Sequence, residues 1–173
     1  EVSAITKAEM LAPKHLTYID SKPFNDKLFN SSSLDNDGIY SISLIAGIDG
    51  SKSSSNLIKN RLQNSGINAV NLIVDATNYI MLEEGQPLHA FDADKLESIT
   101  GSKVDHNSFN LRLAGKNEMF KALDGNTYQL NDQCNVVTCN DKAIALAGVI
   151  GGYETSVDKK TRRIWLESAI FSQ

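Results

Sequence analysis

A chain of 173 residues with 41% hydrophobic and 22% charged content has ordinary globular make-up and enough length to bury a core unaided. Disordered, collagenous and membrane-spanning classes are excluded, since no apolar run nears the roughly 18 residues a membrane helix needs. A net charge of −4 excludes a large phosphate-neutralising surface, so other chains would have to supply most of the attraction for any nucleic acid.

Residues 1–38 carry two prolines and the polar run NSSSLDNDG, and read as a lead-in or linker of little regular structure. The start at Glu1, without a methionine or a charged-then-apolar leader, suggests a piece of a longer protein. From Ile39 to Ile48, IYSISLIAGI alternates and then turns apolar, the pattern of a strand that becomes buried on both faces. DGSKSSS offers serine N-caps, after which Leu57, Ile58 and Leu62 recur at helical spacing until Gly66. A second helix is expected from Asp75 as N-cap to Gly85, with Ala76, Tyr79, Ile80 and Leu82 on its apolar side. Pro87 forces Gln86 out of helical geometry, so His89 falls in an extended segment just past the helix end. Beyond Gly101 come short strands: FNLRLA, a hairpin turning at Asp124-Gly125, NVVTC, AIALAGVI and RRIWLESAIF. The whole predicts an α+β fold of mixed or antiparallel sheets with a few short helices and no internal repeat.

Several chemistries leave no trace. There is no Walker loop, no Gly-x-Ser-x-Gly and no Gly-x-Gly-x-x-Gly, so no ATP site is legible. His15, His89 and His106 are too scattered for a metal site, and none is expected. Cys134 and Cys139 have no basic neighbour to lower a thiol pKa, and two cysteines suit free thiols in a reducing, cytoplasmic setting. The basic run Lys159, Lys160, Arg162 and Arg163 reads as a solvated face. What remains is a polar set among apolar neighbours: Thr77, Asn78, His89, Asp92 and Glu167. Taken alone, Glu167 in IWLESA reads as the outward residue of a strand, because carboxylates are rarely buried without a partner.

VDATNYIMLEEGQPLHAFDADKL, followed in order by LRLA, Glu118 with ALDG, LNDQCNVVT, AIALAGVIGG and RRIWLESAIF, resembles the B3/B4 editing module of the bacterial phenylalanyl-tRNA synthetase beta chain. The likeness covers residues 39–173. Two departures stand out: Ser54 and Ser55 replace the family's usual Ser-Pro pair, and Asn117 replaces a common glycine. By motif, the resemblance places the family's editing pocket at His89 of QPLHAFD, Thr77 and Asn78 of DATNY, Gly151 of GVIGG and Glu167 of WLES.

What the resemblance implies is hydrolysis of tyrosine mischarged onto the 3′ end of phenylalanine tRNA, with water as nucleophile. An apolar site rejects an added hydroxyl only about a hundredfold, so a second site must recognise tyrosine. Glu167 would accept the phenol proton. His89, Thr77, Asn78 and backbone N–H groups near Gly151 would bind or orient the ester, water and oxyanion. The expected partners are that tRNA end, the synthetase alpha chain and the remaining beta-chain domains in an α2β2 tetramer, with no membrane. No cofactor is expected in this piece; ATP and magnesium would belong to the parent enzyme. A non-catalytic scaffold guiding the acceptor end, or a freestanding trans-editing protein, are the alternatives.

Overall fold

A computed structural model describes residues 39–171; the lead-in expected at residues 1–38 lies outside the described residues. The elements run β1 (Ile39–Ala46), α1 (Asn56–Asn64), α2 (Leu72–Glu84), β2 (Leu88–Asp92), α3 (Ala93–Thr100), β3 (Phe109–Leu113), β4 (Met119–Lys121), β5 (Thr127–Gln129), β6 (Asn135–Cys139), β7 (Lys142–Leu146), β8 (Ile150–Gly151) and β9 (Arg163–Ile170). They form a three-stranded sheet in the order β1-β9-β2, a four-stranded sheet β3-β6-β7-β8 and the hairpin β4-β5. Every pairing is antiparallel. The fold is α+β, as the sequence predicts.

The strand at Ile39 is buried at the end opposite to the one expected. Tyr40 and Ile42 are buried, whereas Leu44 and Ile45 are exposed. β1 is an edge strand, so its apolar run lacks cover on the outer side.

α1 begins as its serines suggest: Ser55 caps it and accepts from the Ile58 amide at 3.4 Å. α2 starts earlier than expected. Asn71 is its cap, accepting from the Ile73 and Val74 amides at 3.0 Å each, because an Asn side chain before an apolar run satisfies the orphan donors of the first turn. Asp75 is instead a buried acceptor, taking the Ser54 hydroxyl at 2.6 Å and the Val70 amide at 2.7 Å. The apolar face also differs: Ile73 packs inward while Ile80 and Leu82 are exposed. Gly85, with φ of +74°, closes the helix in the left-handed region that favours glycine.

α3 was not anticipated. Asp92 caps it through the Asp94 and Lys95 amides, and its second oxygen accepts the Thr161 hydroxyl at 2.6 Å. The Asp92 carboxylate is therefore committed to tying α3 to the entry of β9. Asn117 sits at φ of +63°, a left-handed position that Asn tolerates better than most residues.

β9 organises the packing because its neighbours flank it on both sides. Trp165 points toward the second sheet and joins Tyr40, Ile42, Phe91, Phe109, Val137, Cys139 and Ile144 in the main core. Ile164 points the other way and packs with Ala90 and Ile73 of α2. Phe91 and Trp165 are 0% and 2% exposed, each stabilising the fold by about 2–3 kcal/mol through burial. The β4-β5 hairpin covers the far face of the second sheet through Phe120, Ala122, Leu130 and Val136. Among the described residues, no helix is long and apolar enough to cross a membrane.

Candidate active site

The Gly85-Gln86-Pro87 break delivers the chain from α2 into β2, and the Gln86 side-chain amide donates to the Ala169 carbonyl at 3.3 Å. Pairing of β2 with β9 then sets His89 directly opposite Glu167. In an antiparallel ladder such partners project from the same face with Cβ atoms about 5 Å apart. That is the face of Phe91 and Trp165, so both polar groups enter the space between the sheets.

Glu167 is 6% exposed. This corrects the outward orientation that alternation alone suggests: the strand is central, and both of its faces are covered. No described residue donates a hydrogen bond to the carboxylate, and burial pushes its pKa up to about 7. Diagonally across on β1, burial and then the charge of Glu167 hold the Tyr40 phenol well above its ordinary value.

His89 is partly buried, and desolvation lowers its pKa to about 4, so the imidazole is neutral near pH 7. Its nitrogens make no hydrogen bond with a described residue. Packing holds the ring instead. Phe91 meets it edge-on with centroids 4.6 Å apart and planes at 65°. Against the ring also lies Gly151 of β8, where an added Cβ would overlap the imidazole Cε1 and Nε2 and stand 3.0 Å from Leu123 Cδ1. Only glycine leaves this room. Gly151 is itself fixed, since its carbonyl accepts from the Leu123 amide at 3.0 Å while the Gly152 amide donates to Ile144 at 2.8 Å.

The structure thus brings together His89, Gly151 and Glu167, which lie up to 78 positions apart in the chain. Thr77 and Asn78 occupy α2, which packs beside β2. Both are partly buried, the Thr77 hydroxyl donates back to the Val74 carbonyl at 2.9 Å, and no hydrogen bond joins either side chain to His89 or Glu167. Sequence reasoning did not single out Phe91, Tyr40 or Leu123. Phe91 was within reach, because period-two spacing puts it on the face of His89; Leu123 lies in the motif ALDG but carries no periodic signal. Among the described residues, no three His, Cys, Asp or Glu side chains cluster as metal ligands.

The two titrations have opposite effects on stability. Glu167 moves from 4.5 unfolded to about 7 folded, so its contribution is complete below pH 4.5 and lost as pH rises through 7. His89 moves from 6.5 to about 4, so its contribution is present above pH 6.5 and lost as pH falls through 4. Between them the slopes oppose each other. Urea unfolding of Glu167→Gln against the parent chain should show the variant gaining by about 3 kcal/mol between pH 4.5 and pH 8. A difference that stays constant with pH contradicts the buried, ionisable carboxyl.

The model of the family described as B3/4 domain matches residues 37–173. Phenylalanine–tRNA ligase beta subunits from Prochlorococcus marinus are similar. That of strain MIT 9313 is 48% identical over 172 residues, covering 99% of this chain and 21% of the relative. That of strain MIT 9312 is 52% identical over 134 residues, covering 78% of this chain and 16% of the relative. This chain therefore spans about a fifth of the length of the first of these relatives. A solved N-terminal fragment of the phenylalanyl-tRNA synthetase beta-subunit from Pyrococcus horikoshii aligns with a TM-score of 0.49 at 13% identity, over 79% of this chain and 40% of that one. With the family model matched along most of its length, the chain belongs to the B3/4 domain family, in the form found in phenylalanine–tRNA ligase beta subunits.

Proposed function

We propose that this chain is the proofreading module of a phenylalanine–tRNA ligase, hydrolysing the ester that joins mischarged tyrosine to the 3′-terminal ribose of phenylalanine tRNA. The observation that carries the reading is Glu167, a buried carboxyl without a donor among the described residues, placed opposite His89. A buried acceptor left unsatisfied costs about 1–3 kcal/mol. A phenol hydroxyl entering the site removes that cost. Phenylalanine, with no hydroxyl, does not. A purely scaffolding module would have no use for such a group.

In this reading the tyrosyl ring enters the space between the sheets with its hydroxyl on Glu167, and the ester lies toward His89. A neutral imidazole whose pKa is about 4 is a weak general base at pH 7, because little driving force remains for it to take a proton. It acts mainly by accepting a hydrogen bond from the attacking water or the ribose hydroxyl, and so orienting it. Water adds to the carbonyl carbon, the tetrahedral oxyanion is held by N–H donors, and the ribose hydroxyl departs with a proton. By the family motif Thr77 and Asn78, on α2, are assigned to positioning the amino-acid and ribose end, although α2 packs its Ile73 against the face of the first sheet opposite to His89.

The parent assembly in this proposal is a cytoplasmic α2β2 tetramer. Other domains and the alpha chain bind ATP and magnesium, and they supply the cationic surface that a chain of net charge −4 lacks.

His89→Ala tests the catalytic half. In the full-length ligase carrying this module, deacylation of tyrosyl-tRNA for phenylalanine should slow by about 10²-fold, the usual contribution of a positioned proton acceptor. An unchanged rate removes the histidine from the reaction.

A further inference from the structure

The imidazole of an active histidine is ordinarily aimed by a hydrogen bond to its second ring nitrogen. His89 has no such bond among the described residues, yet its ring occupies a defined place. Phe91 meets one side of it, with centroids 4.6 Å apart. From β8 in the second sheet, the Gly151 backbone lies so close that a methyl group there would overlap the ring. We propose that Phe91 is a positioning residue which, with the Gly151 backbone, clamps the His89 imidazole in its working orientation in place of a hydrogen-bonded partner. This inference rests on the proofreading reading of the same site.

The clamp is built to be rigid. Phe91 is fully buried and pairs in register with Trp165, itself 2% exposed. The Trp165 ring lies 5.1 Å from that of Phe109 in the second sheet. In the second sheet, β8 is held by the Leu123 amide on the Gly151 carbonyl and by the Gly152 amide on the Ile144 carbonyl. One jaw therefore belongs to the first sheet and the other to the second, so their separation is set by the main core between the sheets. An edge-to-face aromatic pair favours one ring orientation over its neighbours, whereas an aliphatic side chain of comparable bulk fills the space without that preference. The titratable groups facing the ring are Glu167 across the ladder and Tyr40 diagonally beyond it.

Phe91→Leu and Phe91→Tyr separate positioning from mere packing. With full-length ligase and tyrosyl-tRNA, Phe91→Leu should lower the deacylation kcat about tenfold with KM changed less than twofold, and Phe91→Tyr, which keeps the ring edge, should stay within about threefold of the parent. In the isolated chain, the His89 ring protons of Phe91→Leu should show a pKa moved upward from about 4, as a freed ring reaches water. If Phe91→Leu melts lower yet keeps the parent kcat and the parent His89 titration, Phe91 is only core and the proposal is overturned. If Phe91→Leu does not fold, Phe91→Met takes its place with the same expectations. Should His89→Ala leave deacylation unchanged while Phe91→Leu still shifts the His89 titration, the part of His89 in the reaction fails and, of the proposal, only the holding of the ring by Phe91 stands.

Discussion

Gly151→Ala should abolish most tyrosyl-ester hydrolysis, lowering kcat by 10²-fold or more, although the change adds one methyl group. The new Cβ falls on Cε1 and Nε2 of His89 and close to Leu123 Cδ1, and Phe91, which packs against the imidazole, is fully buried and has little room to move. The ring must therefore leave its place. Misplacing a reacting group by about 1 Å can cost 10²-fold. Stability tells displacement from global damage: in a His89→Ala background the methyl finds the space the ring vacated, so Gly151→Ala should cost clearly less there than in the parent chain. A double-mutant cycle followed by urea unfolding measures this coupling, expected at about 1–2 kcal/mol. Additive effects would mean that His89 and Gly151 do not share one space.

Glu167→Ala should remove discrimination rather than catalysis. On the proofreading reading the site gains from tyrosine because the phenol satisfies a carboxylate that no described residue satisfies; without Glu167, tyrosyl and phenylalanyl esters differ only by a hydroxyl that no buried acceptor recognises. The ratio of kcat/KM for the two esters should fall about 10²-fold, mainly through a loss on the tyrosyl side. The parent ratio should also depend on pH. The ionised form is the stronger acceptor and the Glu167 pKa is about 7, so preference for tyrosine should decline as pH falls below 7 and level off above 8. A ratio that is flat with pH, or unaltered in the alanine variant, assigns the selectivity elsewhere.

Local signals carried much of the fold and less of the site. Pro87 and Gly85 act on their immediate neighbours, which is why the helix end and the extended run through His89 were readable without a partner strand in view. The start of α2 was not, because Asn71 and Asp75 are both good caps and only the Ser54 hydroxyl, 21 residues from Asp75, decides between them. α3 escaped notice because Asp92 in AFDADKL reads as a turn when only eight helical residues follow. Leu44 and Ile45 read as buried because hydrophobicity does not say which strand ends at a sheet edge.

Glu167 shows the limit most plainly. Alternation within RRIWLESAIF puts Glu167 on the face of Trp165, but whether that face meets solvent or a second sheet depends on strands elsewhere in the chain. The contact of His89 with Gly151 depends on two sheets closing on each other and has no local precursor. For this site the family motifs supplied what periodicity could not, and the register of β2 with β9 then gave the motif residues a physical relation.

The most direct measurement is deacylation by the full-length ligase carrying this module, with tyrosyl and phenylalanyl esters of the same tRNA compared under single-turnover conditions. The account predicts that the tyrosyl ester is hydrolysed at least about 10²-fold faster than the phenylalanyl ester, with the difference resting on Glu167. Equal rates for the two esters, or no hydrolysis of either beyond the spontaneous rate, would contradict it.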